Sequence, residues 1–443
     1  MLRIGIDFGT SNSSAAVYDG QALRLLDLDP AAPDPRVMKS LVYFERNGSL
    51  HFGRAALDTY LVQNTGRSVK YEMRRIGEVQ MTFADVGTLV KDAFALIDVN
   101  EPGRLFQSLK RFLSVTRFHA TNVFGRDYTV EELLSLLAKQ ILERIDEALN
   151  YARFELTVGW PVRFSADPEA DAIARHRARE AWRLVGIPEV EFVEEPVGAI
   201  RHYAHTNARG EGRVLVFDFG GGTLDVCVAR LRGGAVNILS THGVPLGGDL
   251  LDSRLVETEL TPLFGEYAHY RSTGLPLPRH LFTSLRSWQS IVELSKPRPF
   301  ELIHRARLDT DQPAQLAAFE ALVAKNYGLA FFQAVEAAKI ELSDAPAADV
   351  HLATDAFEIE HALARPTFEA IVRPQVQVAR DCVLEAVRLA GLDPRQLDLV
   401  LTTGGSSSIP VFRRMLAEML PNAELQAADA FTSVAAGLAL PAD

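Results

Sequence analysis

Apolar and polar positions along this chain follow strand spacing in two places that share one local design. The first is Ile4-Gly5-Ile6-Asp7-Phe8-Gly9-Thr10-Ser11-Asn12-Ser13, and the second is Val216-Phe217-Asp218-Phe219-Gly220-Gly221-Gly222-Thr223-Leu224-Asp225. Each reads as an apolar strand with an Asp near its end, a tight glycine turn bearing a Thr, and a return to apolar alternation. The copies stand roughly half the chain apart, as a duplicated fold would place them. A single such turn is ordinary hairpin chemistry; the matched pair is what carries information.

Between and after these hairpins the pattern predicts alternating strands and helices. Strand character continues over 21–28 until Pro30, Pro33 and Pro35 interrupt it. Residues 36–125 form a less regular, more polar excursion, with 41–44 as a strand. Thr129 and Glu132 have capping-box spacing, and Leu133, Leu134, Leu137, Ile141, Ile145 and Leu149 trace the apolar face of the helix that follows. A strand at 154–160 ends at Pro161, a helix covers 168–186, a strand 191–193, and a helix 197–205. Residues 207–212 read as a linker.

The second half opens with strands at 213–219, 227–231 and 236–241. A mainly helical stretch then runs from Leu246-Gly247-Gly248-Asp249 to about 343, punctuated by Pro276, Pro278, Pro297, Pro299 and Pro313. One helix is expected at 368–390 with its stripe at Ile371, Val378, Val383 and Val387, then a strand at 397–401 and a last helix at 432–439. Each half is strands followed by helix–strand–helix, an α/β layer architecture.

Composition narrows the class. With 443 residues the chain exceeds one compact core, so two domains are expected. A net charge of −11 argues against a general nucleic-acid binder and against attachment to anionic membranes. Cys227 and Cys382 sit in apolar segments and read as buried thiols. Only Met-Leu-Arg precedes the first strand, which leaves no room for a secretory signal, and no run of about eighteen apolar residues marks a transmembrane helix. A cytoplasmic location is expected.

The chemistry of the paired turns is anion binding. Glycine lets backbone N–H groups form a concave nest that no side chain shields, and a Thr hydroxyl adds a donor. An Asp would repel phosphate oxygens, so its natural role there is to hold Mg²⁺ or the water around it. A nucleotide gripped between two lobes accounts for both copies.

In its landmarks the chain resembles the ATPase domain of the seventy-kilodalton heat-shock chaperones, within the actin-like superfamily. These are the first hairpin from Gly5 to Ser13, Glu195-Pro196, the second turn from Phe217 to Thr223, Leu246-Gly247-Gly248-Asp249 and Gly404-Gly405-Ser406-Ser407-Ser408-Ile409-Pro410. They occur in the family's order across most of the sequence. With nothing after the last helix, the chain is most similar to the short bacterial chaperone-like proteins of the YegD type.

The resemblance implies an actin-like (ribonuclease H-like) fold of two duplicated lobes: 1–208, with an outer insertion at about 36–125, and 209–443, with an outer, mainly helical insertion at about 246–365. It implies ATP or ADP with Mg²⁺ in the cleft, Asp7 and Asp218 flanking the metal. Gly9, Thr10, Ser11 and Asn12 would hold phosphates from one side, and Gly220, Gly221, Gly222 and Thr223 from the other. Lys110 matches the family's catalytic lysine, with Glu195, Asp218 and Thr223 assisting and Asp225 supporting the second loop. Pro161 and Arg175 match a pair that couples nucleotide state to shape. Gly248, Glu336, Lys339, Ser343, Gly404, Gly405, Ser406 and Ser408 would receive the nucleoside; Glu336, Lys339 and Ser343 share a helical face.

Departures qualify that expectation. Ile340 and Ser408 stand where the family sandwiches adenine between two arginines, which weakens affinity or relaxes base preference. Residues 60–105 and 262–325 look enlarged, and with no β-rich peptide-binding domain encoded, self-sufficient client binding is not expected. The reading is a slow, monomeric ATPase switch that signals to a partner protein of unknown identity through its outer insertions, without nucleic acid or membrane. The alternatives are a catalytically weak nucleotide-binding interaction module and an actin-like small-molecule kinase.

Overall fold

The computed structural model describes residues 2–83, 87–150, 152–207 and 210–441. Two mixed sheets with one plan organise them. In the first, Leu2–Phe8, Asn12–Tyr18 and Leu23–Leu26 form an antiparallel meander, and Phe154–Trp160 and Glu191–Glu194 extend it in parallel beyond Leu2–Phe8. In the second, Glu211–Phe219, Leu224–Arg232 and Ala235–Val244 form the meander, and Leu399–Thr403 and Glu424–Ala427 the parallel extension. Central strands covered on both faces need unbroken apolar runs. Val214 to Phe217 and Val226 to Ala229 meet that need, being buried without interruption.

Helices cover the sheets where their apolar stripes allow. Val130–Leu149 begins at the expected capping box: Thr129 Oγ1 accepts the Glu132 N–H at 3.2 Å, and Glu132 Oε2 accepts the Thr129 N–H at 2.9 Å. Its buried face contains all six forecast residues. The helix expected at 368–390 is instead two, Arg365–Ile371 and Arg373–Leu389, because Pro374 can start a helix but cannot continue one. Its stripe also shifts. Val378 is exposed, while Ala379, Cys382, Val383, Ala386 and Val387 are buried.

The excursion at 36–125 is more regular than its polarity suggested. It holds a three-stranded sheet of Leu41–Glu45, Leu50–Phe52 and Gly103–Gln107, the helix Gly53–Asn64, and a hairpin of Tyr71–Phe83 with Gly87–Asp98. The helical stretch in the second half ends in an unforeseen hairpin, Ala347–Ala353 with Glu358–Ala364.

Two contacts join the halves outside the twin turns. The short helix Ser433–Leu438, late in the chain, packs on the first sheet and crosses the helix Glu195–Thr206. There a Cβ on Gly437 would collide with the Gly198 carbonyl, so only glycine permits the approach. Ser14 Oγ donates to the Phe431 carbonyl at 2.6 Å in the same region. The outer regions also meet, over a cluster of Leu41, Tyr43, Leu57, Tyr60 and Leu105 with Trp288 and Leu329. Asn326 Nδ2 donates to Tyr60 Oη at 3.0 Å, and Trp288 Nε1 to Gln107 Oε1 at 3.0 Å.

Candidate functional site

The two glycine turns face each other. A methyl group on Gly221 would strike the Ser11 hydroxyl, and one on Gly222 would strike that of Thr10. The start of the helix Gly248–Leu255 is stitched to the second turn, where Gly248 N–H donates to the Gly220 carbonyl and Asp249 N–H to that of Gly221, both at 3.0 Å. Ser406 Oγ donates to the same Gly220 carbonyl at 3.1 Å.

Around these turns lies a cavity of about 460 Å³, within the roughly 300–1,000 Å³ of small-molecule sites. Its walls bring together Asp7, Gly9, Thr10, Ser11, Asn12, Glu195, Asp218, Gly220, Gly221, Gly222 and Thr223. The same walls carry Gly248, Glu336, Lys339, Ser343, Gly404, Gly405, Ser406 and Ser408. Of the residues singled out in the sequence, Lys110, Asp225, Pro161 and Arg175 do not line it. Lys110 Nζ is buried against Glu195 Oε1 in an ion pair, one carboxylate back from the cavity. Lys339 is also engaged, donating to Asp252 Oδ2 at 2.7 Å. Ser408 turns its hydroxyl onto the Gly405 carbonyl at 2.8 Å.

Sequence reasoning missed Arg413 and Phe431, which line the cavity together with Ile340. Arg413 lies one turn into the helix Pro410–Met419, beyond the glycine landmark, and Phe431 in the loop before the last helix. Neither belongs to a recognisable motif.

The electrostatics around the twin turns are lopsided. Asp7 is pushed up to about 8 by burial and then by Glu195, with Lys110 opposing. Burial, followed by Glu195 and Asp7, also drives Asp218 well above the usual carboxylate range. Asp225 is raised to about 8 by burial and Glu195, although it accepts the Val162 N–H at 2.8 Å. Buried carboxylates short of positive charge suit a divalent cation. Among the described residues no three acidic, His or Cys side chains converge into a metal cage. That donor set fits Mg²⁺, which keeps several waters and leans on one or two carboxylates plus phosphate oxygens.

Asp225 also reaches across the halves. The Val162 peptide whose N–H it accepts presents its carbonyl to Arg175 Nη2 at 2.6 Å, and that guanidinium lies over the Trp160 ring, 4.4 Å from its centroid. Pro161 is buried within this link.

Two sheets of one plan, apposed at twin glycine turns above buried carboxylates, define an actin-like ATPase fold. The chain belongs to the Hsp70 family: that family's model, described as Hsp70 protein, matches residues 3–266 and 326–443. The segment between the matched stretches falls in the region read as enlarged at 262–325. Among curated relatives, the chaperone protein DnaK of Thermus thermophilus is 26% identical over 441 residues, covering 99% of this chain and 60% of its own. DnaK of Thermosipho africanus is 23% identical over 446 residues, covering 99% and 58%. The stromal 70 kDa heat shock-related protein of Pisum sativum is 25% identical over 422 residues, covering 94% and 49%. The chain thus spans about 60% of the length of the DnaK relatives it matches. Among the described residues no helix is long and apolar enough to cross a membrane.

Proposed function

We propose that this protein binds ATP with Mg²⁺ between its twin turns and hydrolyses it slowly, using nucleotide state to set closure of its lobes, 1–208 and 209–443, for a partner protein in the cytoplasm. The observation that carries this reading is the contact between the two glycine turns above Asp7, Asp218 and Asp225. Bound Mg²⁺ would neutralise and orient the phosphates. Asp7 and Asp218 would hold it, while Thr10, Ser11, Asn12 and the 220–223 turn would donate to phosphate oxygens. Glu195 orders the water that attacks in line, and Lys110, behind it, supplies charge toward the γ-phosphate. Glu336, Lys339 and Ser343 take the ribose; Arg413, Phe431 and Ile340 enclose the base where the family has two arginines. Asp225, Val162 and Arg175 offer a physical link from the twin turns to lobe shape.

Titration calorimetry with ATP, ADP and GTP, paired with phosphate release with and without Mg²⁺, tests the reading. Magnesium-dependent ATP binding and slow release are expected; a protein that binds no nucleotide would end it. The Lys110–Glu195 pair favours one rival, a nucleotide-binding module with negligible catalysis, because the lysine is already neutralised. Tight binding with no phosphate release in a single turnover would select that rival.

A further inference from the structure

A second chamber, of about 490 Å³, lies under the contact between the outer regions. It adjoins the nucleotide cavity, since Ser11, Asp249 and Glu336 border both. Its floor is the reverse side of the lysine segment: Lys110 faces Glu195, whereas Arg111 points into the chamber and meets Asp249 at 3.2 Å.

Three features give the chamber a chemical character. Lys39, on the strand end that pairs with Asn12, lines it, and its side-chain ammonium has no hydrogen-bond or ion-pair partner among the described residues. The other two cations of its wall are committed, Arg111 to Asp249 and Arg286 to Glu257. Asp252 lines the opposite wall with only 7% of its surface exposed. Its Oδ2 is taken by Lys339, but its buried Oδ1 has no partner. That oxygen is sealed from the chamber, so Asp252 shapes the wall without presenting an open acceptor. Between these polar points the wall is aromatic, with Phe112, Trp288 and Phe332.

We propose that this chamber is a second ligand site, taking a small organic anion with an aromatic body, and that its occupant holds the outer regions together. The anion meets Lys39, and the ring lies against Trp288. Lys39 and Leu57 come from one outer region and Trp288 and Leu329 from the other, so an occupant touching both disfavours their separation. The site stands on these residues whether or not the neighbouring cavity takes a nucleotide.

Indole-3-acetate is a suitable probe because indole-3-acetamide matches it in shape and N–H while lacking the charge. Ligand-observed NMR on the whole protein, nucleotide-free and with saturating ADP and Mg²⁺, should show the acetate binding about tenfold more tightly than the amide. Lys39→Met should reduce the acetate to the amide's affinity and leave the ADP dissociation constant unchanged. Saturating acetate should slow release of a fluorescent ADP analogue at least about fivefold. Equal binding of acetate and amide, or acetate binding indifferent to Lys39→Met, would overturn the site. Loss of nucleotide affinity in Lys39→Met would instead place that lysine on the triphosphate. An unchanged release rate with bound probe would remove the bracing role.

Discussion

Lys110 and Glu195 are buried against each other, so neither can be removed without stranding its partner. Breaking such a pair by deleting one side costs about 3–5 kcal/mol. Lys110→Ala should therefore unfold at clearly lower temperature than the parent in calorimetry. Adding Glu195→Gln should return most of that stability while leaving phosphate release depressed by about 10²-fold or more. A double variant that regains hydrolysis would show that the lysine serves folding alone. On the cavity wall, Phe431→Ala should weaken ATP and GTP alike by about 1–3 kcal/mol, the usual value of a base stacked on an aromatic ring. Titration calorimetry would detect it, and unchanged affinities would remove the ring from base binding.

The twin turns are the elements on which the halves meet. Gly221→Ala inserts a methyl where the Ser11 hydroxyl already sits, so the turns must part. Nucleotide affinity should fall at least about tenfold, with little change in secondary structure by circular dichroism; parental affinity would mean that the turns separate without consequence. These turns were legible in the sequence because glycine, Thr and Asp have few other reasons to recur at such spacing. The helix at Thr129 was legible for a similar reason, its cap and its stripe agreeing. The outer regions were not. Gly53–Asn64 has no side-chain cap and little amphipathic contrast, so its local pattern resembles a loop. The break at Val372 was visible in Pro374 but overridden by the apolar stripe on either side. Lys110 was found through its family register, but its pairing with Glu195, distant in sequence, leaves no local trace.

Over the whole molecule, the carboxylate cluster sets a pH dependence. Asp7 and Asp225 have ordinary values of 3.8 and are raised to about 8 in the fold. Between those limits the folded state keeps protons that the unfolded chain has lost, so this contribution to stability is greatest at the acidic end and declines as pH rises through about 8. Melting temperature of the ligand-free protein should drop from pH 5.5 to pH 8.5. ATP with Mg²⁺ should flatten the slope and release protons on binding, measurable as buffer-dependent heats. A ligand-free melting curve that rises over this range would contradict the cluster's burial.

The seating of the helix Ser433–Leu438 on the first sheet also matters before the protein is finished. Ser14 bonds to a carbonyl 417 residues further along, and translation at about 5–20 residues per second takes tens of seconds to cross that gap. During that interval the emerging amino-terminal sheet has one apolar face bare, so the nascent polypeptide of a chaperone relative is itself a candidate for chaperoning on the ribosome.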